Sequence, residues 1–315
     1  MAAIGKDILK ATQLLEEGKL VAIPTETVYG LGANALDTTA VAGIFRAKNR
    51  PTFDPLIIHT YSIEKAKEYV ADFPLELEKL AKMYWPGPLT LLLPKKNVIP
   101  DLVTSGLNTV AVRIPDHLLT LELLRQLNFP LAAPSANPFG YISPTKPEHV
   151  NKQLGNEVDY ILDGGNCTVG IESTIVGMEN GKVCIYRLGG LSIEDIEKVV
   201  GKSELKINSS GDPTAPGQLK SHYAPIKKLV IGNVDELLKQ YDNPGVLGFG
   251  EKTYSVYTYN LSEKADLTEA AANLFEGLRA LDESKVEVII TDYLPSIGLG
   301  IAINDRLTRA AAIKH

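Results

Sequence analysis

Two cations and a carboxylate lie close together on a segment bounded by prolines. Lys48 and Arg50 are two residues apart, and Asp54 follows between Pro51 and Pro55. The cations come at the end of a predicted helix, where they could simply complement the helix dipole. The prolines fix the backbone that follows, so both cations point in a definite direction. The compact ammonium charge of a lysine and the planar, bidentate guanidinium of an arginine together suit a polyphosphate. We therefore predict that Lys48 and Arg50 bind phosphate.

A glycine-rich stretch, PTETVYGLGANA at 24–35, follows an early predicted strand. Its last six residues match the G-x-G-x-x-A dinucleotide fingerprint. A Rossmann glycine lies at the end of its strand, whereas Gly30 comes six residues after Pro24, with hydroxyl and carboxylate side chains between. We therefore expect a loop whose glycines let the backbone approach a ligand and whose threonine hydroxyls bind it.

A second polar segment, APSANPFGYISPT at 133–145, follows a short apolar run. Ser135, Asn137 and Ser143 provide small donors between its prolines. The segment could be an ordinary surface turn, but hydroxyl and amide donors of this kind also suit phosphate or ribose oxygens.

Arg113 lies in the otherwise apolar run VAVRIP, and His59 ends another apolar run. An arginine in such a strand either faces the surface or binds a carboxylate in a pocket, because buried arginine is rarely unpaired. Ligands at metal-binding spacing do not accompany His59, which argues against a zinc site. There is neither a P-loop nor a G-x-S-x-G elbow. We expect no metal site built by the protein.

The elements that must position these residues divide the chain into three parts. Residues 1–204 mix predicted helices and strands irregularly, which indicates a mixed twisted sheet with helices. Residues 205–228 are polar and rich in Gly, Pro and Ser, which predicts a linker. Residues 229–315 alternate more regularly and predict a smaller, Rossmann-like α/β domain. Helix signals include capping boxes that begin at Thr145 and Ser192.

Composition limits the function further. The chain has 315 residues and a formal net charge of −6, which argues against a protein that wraps nucleic acid without sequence preference. Its apolar runs are shorter than the roughly 18 residues of a membrane helix, and the N-terminal segment lacks the features of a signal peptide. Cys167 and Cys184 have neither metal-site nor disulfide spacing, so we expect both to be buried. A cytoplasmic protein without membrane contact is the expectation.

Taken in order, the segments PTETVYGLGANA, AKNRPTFDPLIIH, WPGPLTLLL, TVAVRIPDH, APSANPFGYISPT, GIESTIV and YRLG resemble the YrdC-like domain. Its K-x-R plus S-x-N signature corresponds to Lys48, Arg50, Ser135 and Asn137. The later segment PTAPGQLKSHYAP is similar to the linker of the two-domain members, the threonylcarbamoyl-AMP synthases. The resemblance covers about residues 5–225, and the C-terminal part matches by position and α/β character.

This resemblance implies an enzyme of the nucleotidyltransferase class. L-Threonine, bicarbonate or CO2, and ATP would give threonylcarbamoyl-AMP and pyrophosphate, with Mg²⁺ on the triphosphate. A downstream transferase would use the product to modify the adenosine next to the anticodon of certain tRNAs. Whether tRNA binds this chain directly stays open.

The resemblance also implies the site residues. Lys48 and Arg50 would be catalytic. Because Tyr223 lies in the predicted linker, that segment is expected to close over the pocket as a lid. The ATP site would contain Lys48, Arg50, Asp54, Thr109, Ser135, Asn137, Ser143, Arg187 and Tyr223, and the threonine site would contain Thr27, His59, Arg113, Ala133 and Ser173.

Two other functions stay open at this point. A non-catalytic RNA-binding module would need a basic face, whereas this sequence is acidic overall. Carbamoyl transfer in hydrogenase maturation uses a similar domain, but those proteins carry cysteine-rich zinc fingers that two cysteines cannot supply. For the C-terminal domain, we hypothesise that it keeps the linker in place and governs product release.

Overall fold

The computed structural model describes residues 1–207, 215–218 and 222–312. Within these residues the chain forms an 11-stranded mixed sheet and a separate 4-stranded parallel sheet. The α/β prediction, with a large mixed sheet and a smaller second sheet, is confirmed. The strands are β1 Ala3–Gly5, β2 Val21–Ile23, β3 Gly30–Asn34, β4 Ile57–His59, β5 Leu89–Pro94, β6 Thr109–Arg113, β7 Leu131–Ala132, β8 Tyr160–Leu162, β9 Thr174–Glu179, β10 Lys182–Arg187, β11 Glu204–Leu205, β12 Lys228–Ile231, β13 Pro244–Gly248, β14 Thr258–Asn260 and β15 Val288–Thr291.

The helices cover both faces of the large sheet and pack beside the small one. Among the described residues, apolar side chains of these helices and strands fill one large core cluster and three smaller ones. The helices are α1 Ile8–Glu16, α2 Thr38–Lys48, α3 Ile63–Lys67, α4 Leu75–Tyr84, α5 Asp101–Thr104, α6 Leu118–Gln126, α7 Pro147–Leu154, α8 Ile193–Val200, α9 Val234–Leu237, α10 Leu267–Glu283 and α11 Leu299–Ala311.

Strand order in the large sheet is β1-β8-β2-β3-β7-β4-β6-β5-β9-β10-β11. The parallel pairing of β4 with β6 places His59 opposite Arg113. On the other side of β6, the antiparallel strand β5 places Thr90 opposite the same arginine. Since β5 pairs in parallel with β9 from Leu89 and Thr174 onward, the residue before β9 reaches the same edge of the sheet. The strand pairings therefore bring together side chains from four segments, namely β4, β6, β5 and the residue before β9.

The glycine-rich stretch 24–35 was expected to be a loop, but part of it is a strand. Residues Gly30–Asn34 form β3, which pairs antiparallel to β2, so only the part before Gly30 is a loop. A Cβ on Gly32 would lie 3.1 Å from the carbonyl oxygen of Val21. Glycine at this position therefore permits close strand packing, and the antiparallel pairing is not that of a Rossmann βαβ unit.

Helix starts were predicted with mixed success. Ser192 caps α8 as predicted, with its hydroxyl accepting from the backbone N–H of Asp195. The capping box at Thr145 is wrong, because Lys146 is the N-cap of α7 and makes no side-chain capping bond. Pro147 favours extended backbone in the residue before it, which places the helix start one residue later than predicted.

The last third of the chain forms the small sheet, in the order β12-β15-β13-β14, with α10 and α11. The predicted strand in TYSVYTY is short and covers only Thr258–Asn260. The predicted linker 205–228 begins inside β11, and its residues 208–214 and 219–221 lie outside the described part of the chain. The domain boundaries at 204 and 228 therefore stay predictions.

Candidate active site

Most of the predicted site residues line one cavity at the edge of the large sheet where His59, Arg113 and Ser173 lie. The cavity and its open mouth together contain about 570 Å³ of space that no protein atom fills. The predicted residues that line it are Thr27, Arg50, His59, Arg113, Ala133, Ser135, Ser173, Arg187 and Tyr223.

Lys48 lies behind the cavity wall and is almost completely buried. Its Nζ donates to the backbone carbonyls of Ser135 and Asn137, so it fixes the loop 133–145 against the end of α2. Burial, and secondarily the charge of Arg50, lower the pKa of Lys48 well below its ordinary value. The lysine thus positions the loop, and the direct phosphate contact predicted for it stays a prediction.

Arg50 reaches the cavity and is fixed from behind. Its Nη2 lies 2.9 Å from Oδ2 of Asp54 and donates to the carbonyl of Pro55 at 2.8 Å. Asp54 is completely buried and does not line the cavity, so in this structure it serves as the counterion of Arg50. The prolines restrict the turn that brings the two charges together, as the sequence suggested.

Arg113 is buried and faces the cavity, so the surface-facing alternative is excluded. Its Nη1 donates to Oγ1 of Thr27 at 2.8 Å, and its Nε donates to the carbonyl of Gly87 at 3.2 Å. Its Nη2 lies 2.7 Å from Oε1 of Glu26. A guanidinium fixed on three sides presents a defined surface to a carboxylate.

His59 lies beside Arg113 on the neighbouring strand. Desolvation, together with the charge of Arg113, lowers the pKa of His59 to about 3, so the imidazole is neutral near pH 7. Its Nδ1 has no hydrogen-bond partner among the described residues. A neutral imidazole at a cavity wall can donate to or accept from a ligand hydroxyl.

Arg187 and Ser173 also line the cavity and contact each other. The Nε of Arg187 donates to the carbonyl of Ser173 at 3.0 Å, and Nη2 donates to the hydroxyl of the same serine at 3.1 Å. Burial lowers the pKa of Arg187 to about 10, so it remains a cation at neutral pH. Arg50, Arg113 and Arg187 therefore direct positive charge at one cavity, which suits an anionic ligand.

Described parts of the predicted linker reach this cavity as well. Gly217, His222 and Tyr223 line it together with the strands of the large sheet. Tyr223 is almost completely buried and adopts a positive φ of 63°. These positions agree with a segment that covers the pocket, and its movement as a lid stays a prediction.

Comparisons with known proteins identify the family. Residues 13–189 match the Sua5, YciO and YrdC family, which carries the description telomere recombination, and residues 191–312 match the threonylcarbamoyl-AMP synthase C-terminal domain. Threonylcarbamoyl-AMP synthase from Pyrococcus abyssi is 41% identical over 323 residues, spanning 96% of this chain and 94% of the relative. The Bacillus subtilis enzyme of the same name is 42% identical over 320 residues, spanning 96% and 92%.

The chain belongs to the two-domain threonylcarbamoyl-AMP synthase family. A solved structure of this family agrees with the fold described above. Sua5 from P. abyssi, crystallised with L-threonine, superposes with a TM-score of 0.93 at 39% identity, covering 99% of this chain and 97% of that one. The predicted family is confirmed, and membership in a family of enzymes argues against the non-catalytic RNA-binding alternative.

Three further residues assigned to the ATP site by resemblance to the threonylcarbamoyl-AMP synthases do not line the cavity. Thr109 begins β6 at the end opposite Arg113, about 13 Å along the strand, and it lines a separate depression. The amide of Asn137 donates to the carbonyls of Pro138 and Tyr141, and the hydroxyl of Ser143 donates to Glu172. In this structure the last two shape the loop.

Sequence reasoning missed several members of the site. Glu26 carried the clearest signal, as an acidic residue between two threonines in PTETV. Glu172 was seen beside Ser173 but was given no role. Nothing in the local sequence of Arg306, which contacts Glu172 from α11, indicated a contact with the site.

Within the residues that the structure describes, no group of three or more His, Cys, Asp and Glu side chains could bind a metal ion. Cys167 and Cys184 are buried free thiols, as expected. No helix of the described residues has the length and apolar character needed to cross a bilayer.

Proposed function

We propose that the protein is an L-threonylcarbamoyladenylate synthase, a nucleotidyltransferase that uses L-threonine, bicarbonate or CO2, and the magnesium complex of ATP. The observation that carries this proposal is the convergence of Arg50, Arg113 and Arg187 on one cavity. Two anions, a threonine carboxylate and a triphosphate, must meet there, and fixed cations offset their charge. Family membership and the threonine in the P. abyssi structure support the assignment.

The proposed reaction needs no protein nucleophile. The threonine amine adds to CO2 and loses a proton, which gives a carbamate. A carbamate oxygen attacks the α-phosphorus of ATP, the bond from that phosphorus to the bridging oxygen breaks, and pyrophosphate leaves. Arg113 would bind the threonine carboxylate, with Thr27 and His59 beside the side-chain hydroxyl. Positioning of the two substrates lowers the barrier by restricting their relative motion.

The cations would act on the phosphates as charge builds there. Arg50, fixed by Asp54, and Arg187, fixed by Ser173, can contact phosphate oxygens without rearranging. The ammonium of Lys48 contributes by fixing the loop that carries Ser135. The described residues offer no cluster for a metal, so Mg²⁺ would arrive with the triphosphate as part of the substrate.

Pyrophosphate release from ATP tests the proposal. Threonine and bicarbonate are added separately and together, with Lys48→Ala and Arg50→Ala in parallel. Arg46→Ala is the matched control, because Arg46 is an exposed cation on α2, the helix that ends at Lys48. Release that needs both co-substrates, falls at least about 100-fold in the two variants and survives in the control supports the proposal. Release that is indifferent to threonine rejects it.

Downstream steps are part of the same proposal. The product is a mixed anhydride, so a transferase that acts on tRNA would consume it, in the cytoplasm. Transfer of the threonylcarbamoyl group to tRNA should therefore require a second protein. Modification of tRNA by this chain alone would reject that division of labour.

A further inference from the structure

Arg306 is a completely buried arginine on the last helix, and it lies against the back of the cavity wall. Its Nε donates to Oε2 of Glu172 at 2.9 Å, and its Nη2 donates to the backbone carbonyl of Leu188 at 2.7 Å. Its guanidinium carbon lies 4.8 Å from the ring centroid of Tyr223. Its Nη1 contacts Asp305 on its own helix. One side chain thus contacts three other segments, namely the two that contain Glu172 and Leu188 and the linker that contains Tyr223.

Glu172 passes this contact on to the polar loop 133–145. Its Oε1 accepts from the hydroxyl of Ser143 at 2.6 Å, while Oε2 accepts from Arg306. The backbone carbonyl of Glu172 accepts from the N–H of Gly190 at 2.9 Å. A Cβ on Gly189 would lie 2.2 Å from that same carbonyl oxygen, so the segments pack with no spare room. The carboxylate is therefore fixed at both oxygens.

Each contact of Arg306 falls next to a predicted substrate contact. Glu172 precedes Ser173, Leu188 follows Arg187, and Tyr223 lines the cavity itself. Buried ion pairs of this kind require good geometry, because an uncompensated buried charge is strongly unfavourable. The guanidinium thereby restricts where these three segments can lie relative to one another.

We propose that Arg306 is a positioning residue for the reaction, which supplies, from the C-terminal part of the chain, the contact that aligns the segments of Ser173, Arg187 and Tyr223 around the cavity. This proposal rests on the proposed function. It assigns the C-terminal part a role in building the pocket, beyond any role in covering it. A shift of about 1 Å in substrate-contacting groups is enough to lower turnover by about 100-fold.

The test compares Arg306→Lys, Glu172→Gln and the double variant Arg306→Met with Glu172→Gln. Replacing both charges avoids an uncompensated buried carboxylate, so the double variant keeps a stable core while losing the contact. Lys152→Met is the control, because the exposed pair Lys152–Glu283 joins α7 to α10 without touching the cavity. We measure kcat and KM for threonine and ATP, the melting temperature, and hydrogen exchange of the backbone amides at 172–174 and 188–190.

We expect the double variant to melt within a few degrees of the parent, to exchange faster at 172–174 and 188–190, and to lose about 100-fold in kcat/KM. Arg306→Lys should lose activity as well, because an ammonium cannot reach Glu172 and the Leu188 carbonyl with the same fork. Lys152→Met should behave like the parent. A folded double variant with parental turnover overturns the proposal, and so does Arg306→Lys with parental turnover.

Hydrogen exchange separates this proposal from the proposed function. If the parent protein fails to release pyrophosphate with threonine, the proposed function is rejected, while faster exchange at 172–174 and 188–190 in the variants still supports the positioning role. Unchanged exchange at these amides rejects the positioning role even if the parent is fully active. Should the double variant fail to fold, Arg306→Lys carries both measurements.

Discussion

Arg113 and Glu26 form a buried ion pair beside the cavity, with Nη2 of the arginine 2.7 Å from Oε1 of the glutamate. Neither carboxylate oxygen of Glu26 has a hydrogen-bond partner among the described residues, so the arginine is its principal compensation. The pair means that the cation proposed to bind threonine already has a carboxylate partner before threonine arrives. The threonine carboxylate would therefore share the Arg113 guanidinium with Glu26, and folding has already removed that guanidinium from water.

Breaking this pair should affect both stability and binding. Arg113→Met leaves the Glu26 carboxylate buried without a cation, so we expect the free energy of unfolding to fall by about 3–5 kcal/mol. Adding Glu26→Gln should restore most of that loss, because both charges are then gone. Threonine binding should stay abolished in both variants. Urea denaturation and calorimetric titration with threonine measure the two effects.

Arg125→Met is the control for this pair, since Arg125 is exposed on α6. It should leave unfolding free energy and threonine affinity unchanged. A double variant as unstable as Arg113→Met alone would contradict the charge explanation. Unchanged threonine affinity in Arg113→Met would remove the arginine from the proposed threonine site.

Lys48→Met should loosen the loop 133–145 from the end of α2. The carbonyls of Ser135 and Asn137 both lose their ammonium donor. Ser135 keeps the N–H of Asn137 as a donor, whereas among the described residues the Asn137 carbonyl is left unsatisfied, which costs about 1–3 kcal/mol. The KM for ATP should rise because Ser135 is no longer fixed. Thermal unfolding and ATP titration check this, with Arg46→Met as the exposed control. Equal effects in the two variants would show that Lys48 has no special role.

Gly170 and Gly165 offer a matched pair of left-handed glycines, with φ of 75° and 76°. A Cβ on Gly170 would lie 2.4 Å from Cα of Ala272 in α10, whereas nothing lies within 4 Å of a Cβ on Gly165. Gly165→Ala should therefore cost about 1–2 kcal/mol from backbone strain alone. Gly170→Ala should cost clearly more, because α10 must move. Chemical denaturation measures the free energy of unfolding of both variants, and equal losses in the two would contradict this prediction.

Glu276 should make the free energy of unfolding depend on pH in the acidic range. The contact from His149, followed by Lys146, lowers the pKa of Glu276 to about 2 in the folded protein. Because the folded pKa lies below the ordinary 4.5 of the unfolded chain, the stabilisation is complete above pH 4.5 and is lost as pH falls toward 2. Glu276→Gln should flatten this part of the stability profile, measured by urea denaturation from pH 5 to 2. An unchanged slope would exclude Glu276 as its source.

Sequence reasoning succeeded where the chemistry of a residue is carried by its own neighbours. Arg50 and Asp54 lie within one turn, and their prolines indicated that the cation was fixed, as it is. Arg113 was recognisable because an arginine in an apolar strand needs a partner. His59 was predicted at the end of one strand and Arg113 within another, and their opposition follows from the parallel register of β4 and β6.

Local sequence could not reveal contacts between segments that are far apart in the chain. The phosphate contact of Lys48 stays a prediction, and no local pattern indicated that its ammonium also donates to two carbonyls of the loop 133–145. Thr109 was assigned to the ATP site by resemblance, and only the strand geometry shows that it lies at the far end of β6. The strand β1 was missed because its short, half-exposed segment gains its pairing from β8, far along the chain.

The position of Arg306 on the final helix also bears on synthesis at the ribosome. Segments that carry Arg50, Arg113, Ser173 and Arg187 are all made before α11. A chain that stops before α11 would contain those residues, yet Glu172 would lack its cation and Tyr223 the charge against its ring. Translation must therefore pass α11 before the pocket can form as described, so products that stop before α11 should be poor catalysts.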